Sequence, residues 1–165
     1  MSRTITIDVF DSRSIDAAIT QLHDYTVWIE RKANELVKRL ADMGAVLASV
    51  EFSRVPYTGP KFVDISVDDL GENRYAIVAS GETVLILEFG AGIKYGNGHP
   101  LEGQFGMGAG TYPGQKNALN PNGWWLPKER GGEHTYGNPP SMAMYHTGRE
   151  LRNRIEEVAR EVFRT

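Results

Sequence analysis

The chain has 165 residues, of which 41% are apolar and 24% charged, and its formal net charge is −3. That length fits one domain with a sizeable core, and the mild acidity argues against a dedicated nucleic-acid binder, which usually carries a basic patch. There are no cysteines, which excludes disulfide frameworks and thiolate metal sites; no apolar run approaches a membrane span or signal-peptide core, so the expectation is a soluble protein made in the cytoplasm with no membrane partner.

Residues 4–10 alternate, with Ile5, Ile7 and Val9 on one side and Thr4, Thr6 and Asp8 on the other. Period two predicts a half-buried strand. Asp11-Ser12-Arg13-Ser14 supplies capping residues, and Asp16 suits a first helical turn. From Ile15 the apolar positions recur at steps of three and four: Ile19, Leu22, Tyr25, Ile29, Ala33, Leu36, Leu40 and Met43. This predicts one long amphipathic helix of roughly 40 Å, with Gly44 as its C-terminal stop.

Residues 46–55 alternate Ala48, Val50 and Phe52 against Ser49, Glu51 and Ser53, which predicts a strand. Residues 56–60 carry two prolines and a glycine and predict a turn. Residues 62–67 and 74–79 alternate again across the hairpin-like 70–73, so the three segments predict an antiparallel meander. Residues 83–89 are apolar almost throughout, so a buried strand and a short buried helix both fit. The short helix is preferred because Ser80-Gly81-Glu82 has the composition of an entry turn.

Residues 90–140 hold thirteen of the eighteen glycines and six of the eight prolines. A long aperiodic stretch inside a compact chain is either functional or disordered. Its aromatic residues Tyr95, Phe105, Tyr112, Trp124, Trp125 and Tyr136 argue against disorder. They mark it instead as a loop that orders against neighbouring subunits, and these six are the candidate interface residues. Ser141 is placed to cap a last helix, whose stripe of Met144, Gly148, Leu151, Ile155, Val158 and Val162 fits packing against the first helix or a partner, the intramolecular packing being preferred.

Signals for chemistry are weak. None of His23, His99, His134 and His146 shows a metal-site spacing. His99, Glu102 and His134 are the set that a folded loop would have to gather to bind a metal, and exposed loop positions are the plainer reading. Gly106-Met107-Gly108-Ala109-Gly110 lacks the strand, helix and Lys-Ser/Thr context of a phosphate cradle. Of Asp8, Asp11, Asp64, Asp68, Asp69 and Glu88, only Glu88 interrupts an apolar run. A buried carboxylate needs a partner, so an ion pair or a cap on backbone N–H groups is preferred to a catalytic base. Trp124-Trp125 with Arg130 has the makings of a base-stacking platform, yet Glu129 and Glu133 flank it and no basic run does. No nucleophile stands in a recognisable motif, and no cofactor is expected.

The segment VASGETVLILEFGAG (78–92), then GAGTYPGQ (108–115), Trp124-Trp125 and GNPPSMAMY (137–145), followed by the amphipathic helix, resembles in this order the tail-completion, head–tail joining (neck) family of long-tailed bacteriophages. The resemblance covers most of the chain. It implies an α+β fold: a small antiparallel sheet packed against a long N-terminal helix and a C-terminal helix, here with the long loop 90–140. It also implies a non-enzymatic virion protein that assembles with itself into a ring, commonly a hexamer, at the head–tail junction or the top of the tail tube. Adjacent connector, terminator or tail-tube proteins would be its neighbours, and genomic DNA would pass through the lumen without sequence-specific binding. The rival expectations are a small metal-dependent hydrolase using loop histidines and a non-viral module binding a peptide or glycan.

Overall fold

The computed structural model describes residues 4–57 and 59–164, with backbone alone at Arg130. Thr58, inside the predicted 56–60 turn, and the Arg130 side chain, named with the tryptophans, lie outside the described residues.

The fold is α+β, with a long N-terminal helix, a C-terminal helix and two small antiparallel two-stranded sheets. Helix α1 runs without a break over Ser12–Arg54, 43 residues. Asp11 caps it, its carboxylate accepting from the Arg13 N–H at 3.0 Å. The predicted stop at Gly44 and the predicted strand over 46–55 are both corrected: α1 continues through them. Ala41, Gly44, Ala48 and Phe52 are buried and fall at steps of three, four and four along one face. The apparent alternation fails because Ala48 and Phe52 share that face while Val50 between them is exposed. Gly44 lies within the helix for want of room. A Cβ there would meet Cδ1 of Ile77 from the sheet and stand 2.8 Å from Cδ1 of Leu151.

Strand β1 (Asp64–Asp69) pairs antiparallel with β2 (Tyr75–Ser80), Val67 opposite Ile77. The predicted three-stranded meander is thus a two-stranded hairpin, since its first strand is helix. Ile65, Val67, Tyr75, Ile77 and Ala79 share the face toward α1, as the Ile77–Gly44 approach shows. The Tyr75 hydroxyl bonds Asn34 Oδ1 at 3.1 Å on the same side. Residues 4–10, predicted as a further strand, have no strand partner among the described residues. They turn back on the start of α1, where Asp8 N–H donates to Ser14 Oγ at 2.8 Å and Phe10 N–H to Asp8 Oδ1 at 3.0 Å. Period two specifies a strand only where another strand is at hand, and α1 carries this segment away from the hairpin.

Residues 84–89 form the short helix α2 (Val84–Phe89), the preferred of the two readings. Thr83 fixes its start, its hydroxyl accepting from Phe62 N–H at 2.9 Å and lying 3.2 Å from Phe62 O. Phe52, Val55, Val84, Leu87 and Ala143 form the core at this end, with Val63, Ile65, Ala79 and Met144 against it. The last helix, α4 (Ala143–Arg164), lies antiparallel along α1: Leu151 approaches Gly44, and Phe163 meets Trp28 edge-on at 5.8 Å between ring centroids. Val158 and Val162 are buried on this contact face. Helix α4 therefore covers α1 only from about Trp28 onward. The first turns of α1 leave Ile15, Ile19 and Leu22 exposed.

The predicted loop 90–140 is a folded excursion closed at its base. Ala91 N–H donates to Asn138 O at 2.8 Å and Asn138 N–H to Ala91 O at 3.1 Å. Gly137 makes this closure possible: its φ is +102°, and a Cβ would strike the Ala91 carbonyl. Within the excursion lie the one-turn helix α3 (Glu102–Phe105) and a hairpin of β3 (Trp124–Trp125) and β4 (His134–Thr135). His99, Tyr112 and Ala118 are buried, so much of its packing is made within the subunit.

Candidate functional site

Two motifs fifty residues apart meet where α2 ends and α4 begins. An α-helix leaves its last carbonyls and first N–H groups without internal partners. Here each helix end supplies the other. Asn138 Nδ2 donates to Ile86 O at 2.8 Å, Ser141 N–H to Leu87 O at 2.8 Å and Met142 N–H to Glu88 O at 3.2 Å. In return the Glu88 carboxylate accepts from Met144 N–H at 2.8 Å and Tyr145 N–H at 3.1 Å. A carboxylate at a helix N-terminus also meets the positive end of the helix dipole. The predicted capping role of Ser141 is corrected: its hydroxyl is buried with no hydrogen-bond partner among the described residues, and Glu88 from α2 does the capping. The backbone explains this, because Met142, at φ +57°, intervenes between Ser141 and the helix.

Glu88 also holds His99. His99 Nε2 lies 3.1 Å from Glu88 Oε1, and Leu101 N–H donates to His99 Nδ1 at 3.1 Å. Since Nδ1 accepts, Nε2 is the nitrogen carrying the proton toward the carboxylate. The ring sits against Phe89 at 4.4 Å and Tyr145 at 5.8 Å between centroids. The reading of His99 as an exposed loop residue is corrected: it is 3% exposed. Both its nitrogens are engaged, which leaves none to abstract a substrate proton in this geometry. Glu102 Oε2 accepts from Gly98 N–H at 2.9 Å. His134 belongs to another neighbourhood, packed edge-on to Trp125 at 5.3 Å and Tyr136 at 5.1 Å. Among the described residues no three His, Cys, Asp or Glu side chains gather as a metal site would require.

The six aromatic residues predicted at an interface divide into three groups. Tyr95, Trp124 and Trp125 line a cleft of about 580 Å³ between the β3–β4 hairpin and residues 114–117, with Tyr57 and Ile86 on its other wall. Tyr136 extends the row of Trp125 and His134, and Lys94 Nζ stands 4.5 Å from its ring centroid, a cation–π distance. Trp125 is 71% exposed. Phe105 stands apart, meeting Phe89 edge-on at 6.3 Å. Tyr112 is buried, and its hydroxyl donates to Gly90 O. Burial pushes that hydroxyl's pKa above the usual phenol range. Tyr112 belongs to the subunit's interior.

A second concavity went unread in the sequence. It is an apolar groove of about 440 Å³ between Ala79 at the end of β2 and Met144, Tyr145, Gly148 and Arg152 of α4. Leu85, Phe89, Leu101 and Phe105 form its floor and far wall, with Glu88 and His99 beneath. Its sequence signal was the incomplete burial implied by four consecutive aliphatic residues, Val84-Leu85-Ile86-Leu87, on a helix too short to hide all four faces.

Comparison with protein-family models, with curated proteins and with solved structures finds no match to this chain.

Proposed function

We propose that this protein is a structural subunit of a bacteriophage virion. It assembles with itself into a ring at the head–tail junction or at the top of the tail tube, joins tail to head, and leaves an axial channel for DNA. The reading assigns it no catalysis and no cofactor. Its neighbours are the adjacent neck and tail proteins, and DNA in the lumen is not read by sequence. The mild acidity suits a conduit, since a strongly basic lumen would retain phosphate.

The observation that carries the reading is the amount of large apolar surface left exposed at separated places: Phe10, Ile19 and Leu22 at one end of α1, and Leu119 and Trp125 on the excursion. Large apolar side chains left exposed at separated places are available to separate neighbours, and a subunit of a closed ring that also contacts further rings meets neighbours on more than one side. The sequence resemblance described above points the same way. The test is the composition of particles: quantitative mass spectrometry of purified virions is expected to find several copies per particle, and imaging to place them around one axis. One copy per particle, or none, sinks the reading.

A second reading rests on the aromatic cleft beside β3–β4, whose size and mixed lining suit a peptide or glycan. It predicts saturable ligand binding by the isolated subunit that Trp125→Ala abolishes.

A further inference from the structure

The groove between β2 and α4 lies beside an unpaired sheet edge. Strand β2 pairs with β1 on one side, and among the described residues its other edge makes no backbone hydrogen bond. An open edge is a template for an added strand, and an apolar groove alongside supplies pockets for its alternate side chains. The chain itself contains a segment of that pattern. Residues 4–10 place Ile5, Ile7 and Val9 on one face, and Ile7, Val9 and Phe10 are exposed, Phe10 to 98%.

The segment cannot reach the groove of its own subunit. The groove lies level with Gly44, through the Leu151 and Ile77 contacts. Along α1 that is about 50 Å from Asp11 at 1.5 Å per residue. Seven extended residues span at most about 25 Å. Only another molecule can supply this strand. Charge selects the edge: β1 carries Asp64, Asp68 and Asp69, which would repel Asp8, whereas β2 has no acidic residue.

We propose that residues 4–10 of a second copy of this chain add to the free edge of β2, with Ile5 and Ile7 in the groove lined by Leu85, Phe105 and Met144 and with Thr6 and Asp8 on the opposite, outward face. The exchange deepens the ring reading, on which it rests for its partner, because a head-to-tail contact of arm into groove is the heterologous kind that closes into rings.

The test uses the full chain carrying Ile5→Asp and Ile7→Asp, which disables its own arm, and a fluorescent synthetic peptide of residues 4–11. Saturable binding is expected. Phe105→Glu, at an exposed groove position, is expected to abolish it while far-UV circular dichroism stays unchanged. A peptide carrying Ile5→Asp and Ile7→Asp is expected not to bind, because those two side chains fill the groove. No binding, or equal binding to the Phe105→Glu chain, overturns the proposal. The two readings fail separately. Peptide binding by a chain absent from virions keeps the exchange and removes the ring, whereas several copies per virion without peptide binding do the reverse.

Discussion

Glu88 and Tyr145, 57 residues apart, are joined by a hydrogen bond of 3.1 Å from the Tyr145 N–H to the Glu88 carboxylate. The same carboxylate takes the Met144 N–H and faces His99. Removing it leaves two helix N–H groups and a buried imidazole without their acceptor. Each orphaned buried donor costs about 1–3 kcal/mol, so Glu88→Ala is expected to destabilise the fold by about 3 kcal/mol or more. Glu88→Gln keeps one acceptor oxygen and is expected to lose less. Urea unfolding of the three proteins measures both, and a loss below about 1 kcal/mol for Glu88→Ala would show that the cap is dispensable.

Gly44 is expected to resist replacement by alanine, contrary to its position inside a helix. Alanine gains about 1 kcal/mol in helix propensity over glycine. Against this, its Cβ must displace Ile77 and Leu151 at a three-element contact, and overpacking costs about 1–3 kcal/mol. The net effect of Gly44→Ala is therefore neutral to destabilising, and Gly44→Val is clearly destabilising. A thermal midpoint raised by Gly44→Ala would mean that the contact yields freely.

Sequence reasoning read these two residues in opposite ways. Glu88 was legible because a lone carboxylate in an apolar run must find partners, though not which donors it would meet, since those lie beyond the intervening excursion. Gly44 was misread because glycine both stops helices and admits close neighbours, and only the positions of Ile77 and Leu151 decide between these roles. The same holds for Ala48, Val50 and Phe52, where six residues fit either period. The hairpin β1–β2, helix α2 and the pairing of α4 with α1 were legible because their apolar positions agree with one period or with local turn residues. The groove was not, because it is built from four separated segments.

Glu35 gives the expected acid response. Its carboxyl is held below the usual carboxylate range, first by the hydrogen bond from Lys32 and further by the charges of Lys32 and Arg39. Because the folded-state pKa is depressed, its stabilising contribution is complete above the ordinary carboxylate pKa and is lost as pH falls through the folded value. The loss therefore falls below about pH 4. Thermal unfolding between pH 7 and pH 2 should show Glu35→Gln less stable than the parent at pH 7, the two converging at the acid end. A difference independent of pH would assign the effect to packing.

The two tryptophans of β3 are expected to behave differently. Trp125 is exposed, so Trp125→Ala should leave folding within about 0.5 kcal/mol. A Cβ on Gly92 would lie 3.1 Å from Cη2 of Trp124, so Trp124 packs on the base of the excursion and Trp124→Ala should cost measurable stability. If Trp125 serves assembly, its alanine variant should fold normally yet fail to enter particles. Normal incorporation of that variant would remove Trp125 from the interface.

The excursion begins and ends at one backbone pair, Ala91 with Asn138. Its backbone is joined to the rest of the molecule at this bridge, and the side chains of His99 and Tyr112 anchor it further on Glu88 and Gly90. Closing a longer loop costs little, on the order of 0.6 kcal/mol per doubling. The excursion can thus change in length between its anchors while the α1–α4 pair, the β1–β2 hairpin and the shared helix ends stay unchanged, provided that His99 keeps its place on Glu88 and Tyr112 its place on the Gly90 carbonyl. Contacts made by this segment can diverge on an invariant frame, and its tip is the place where an inserted tag or reporter should be tolerated.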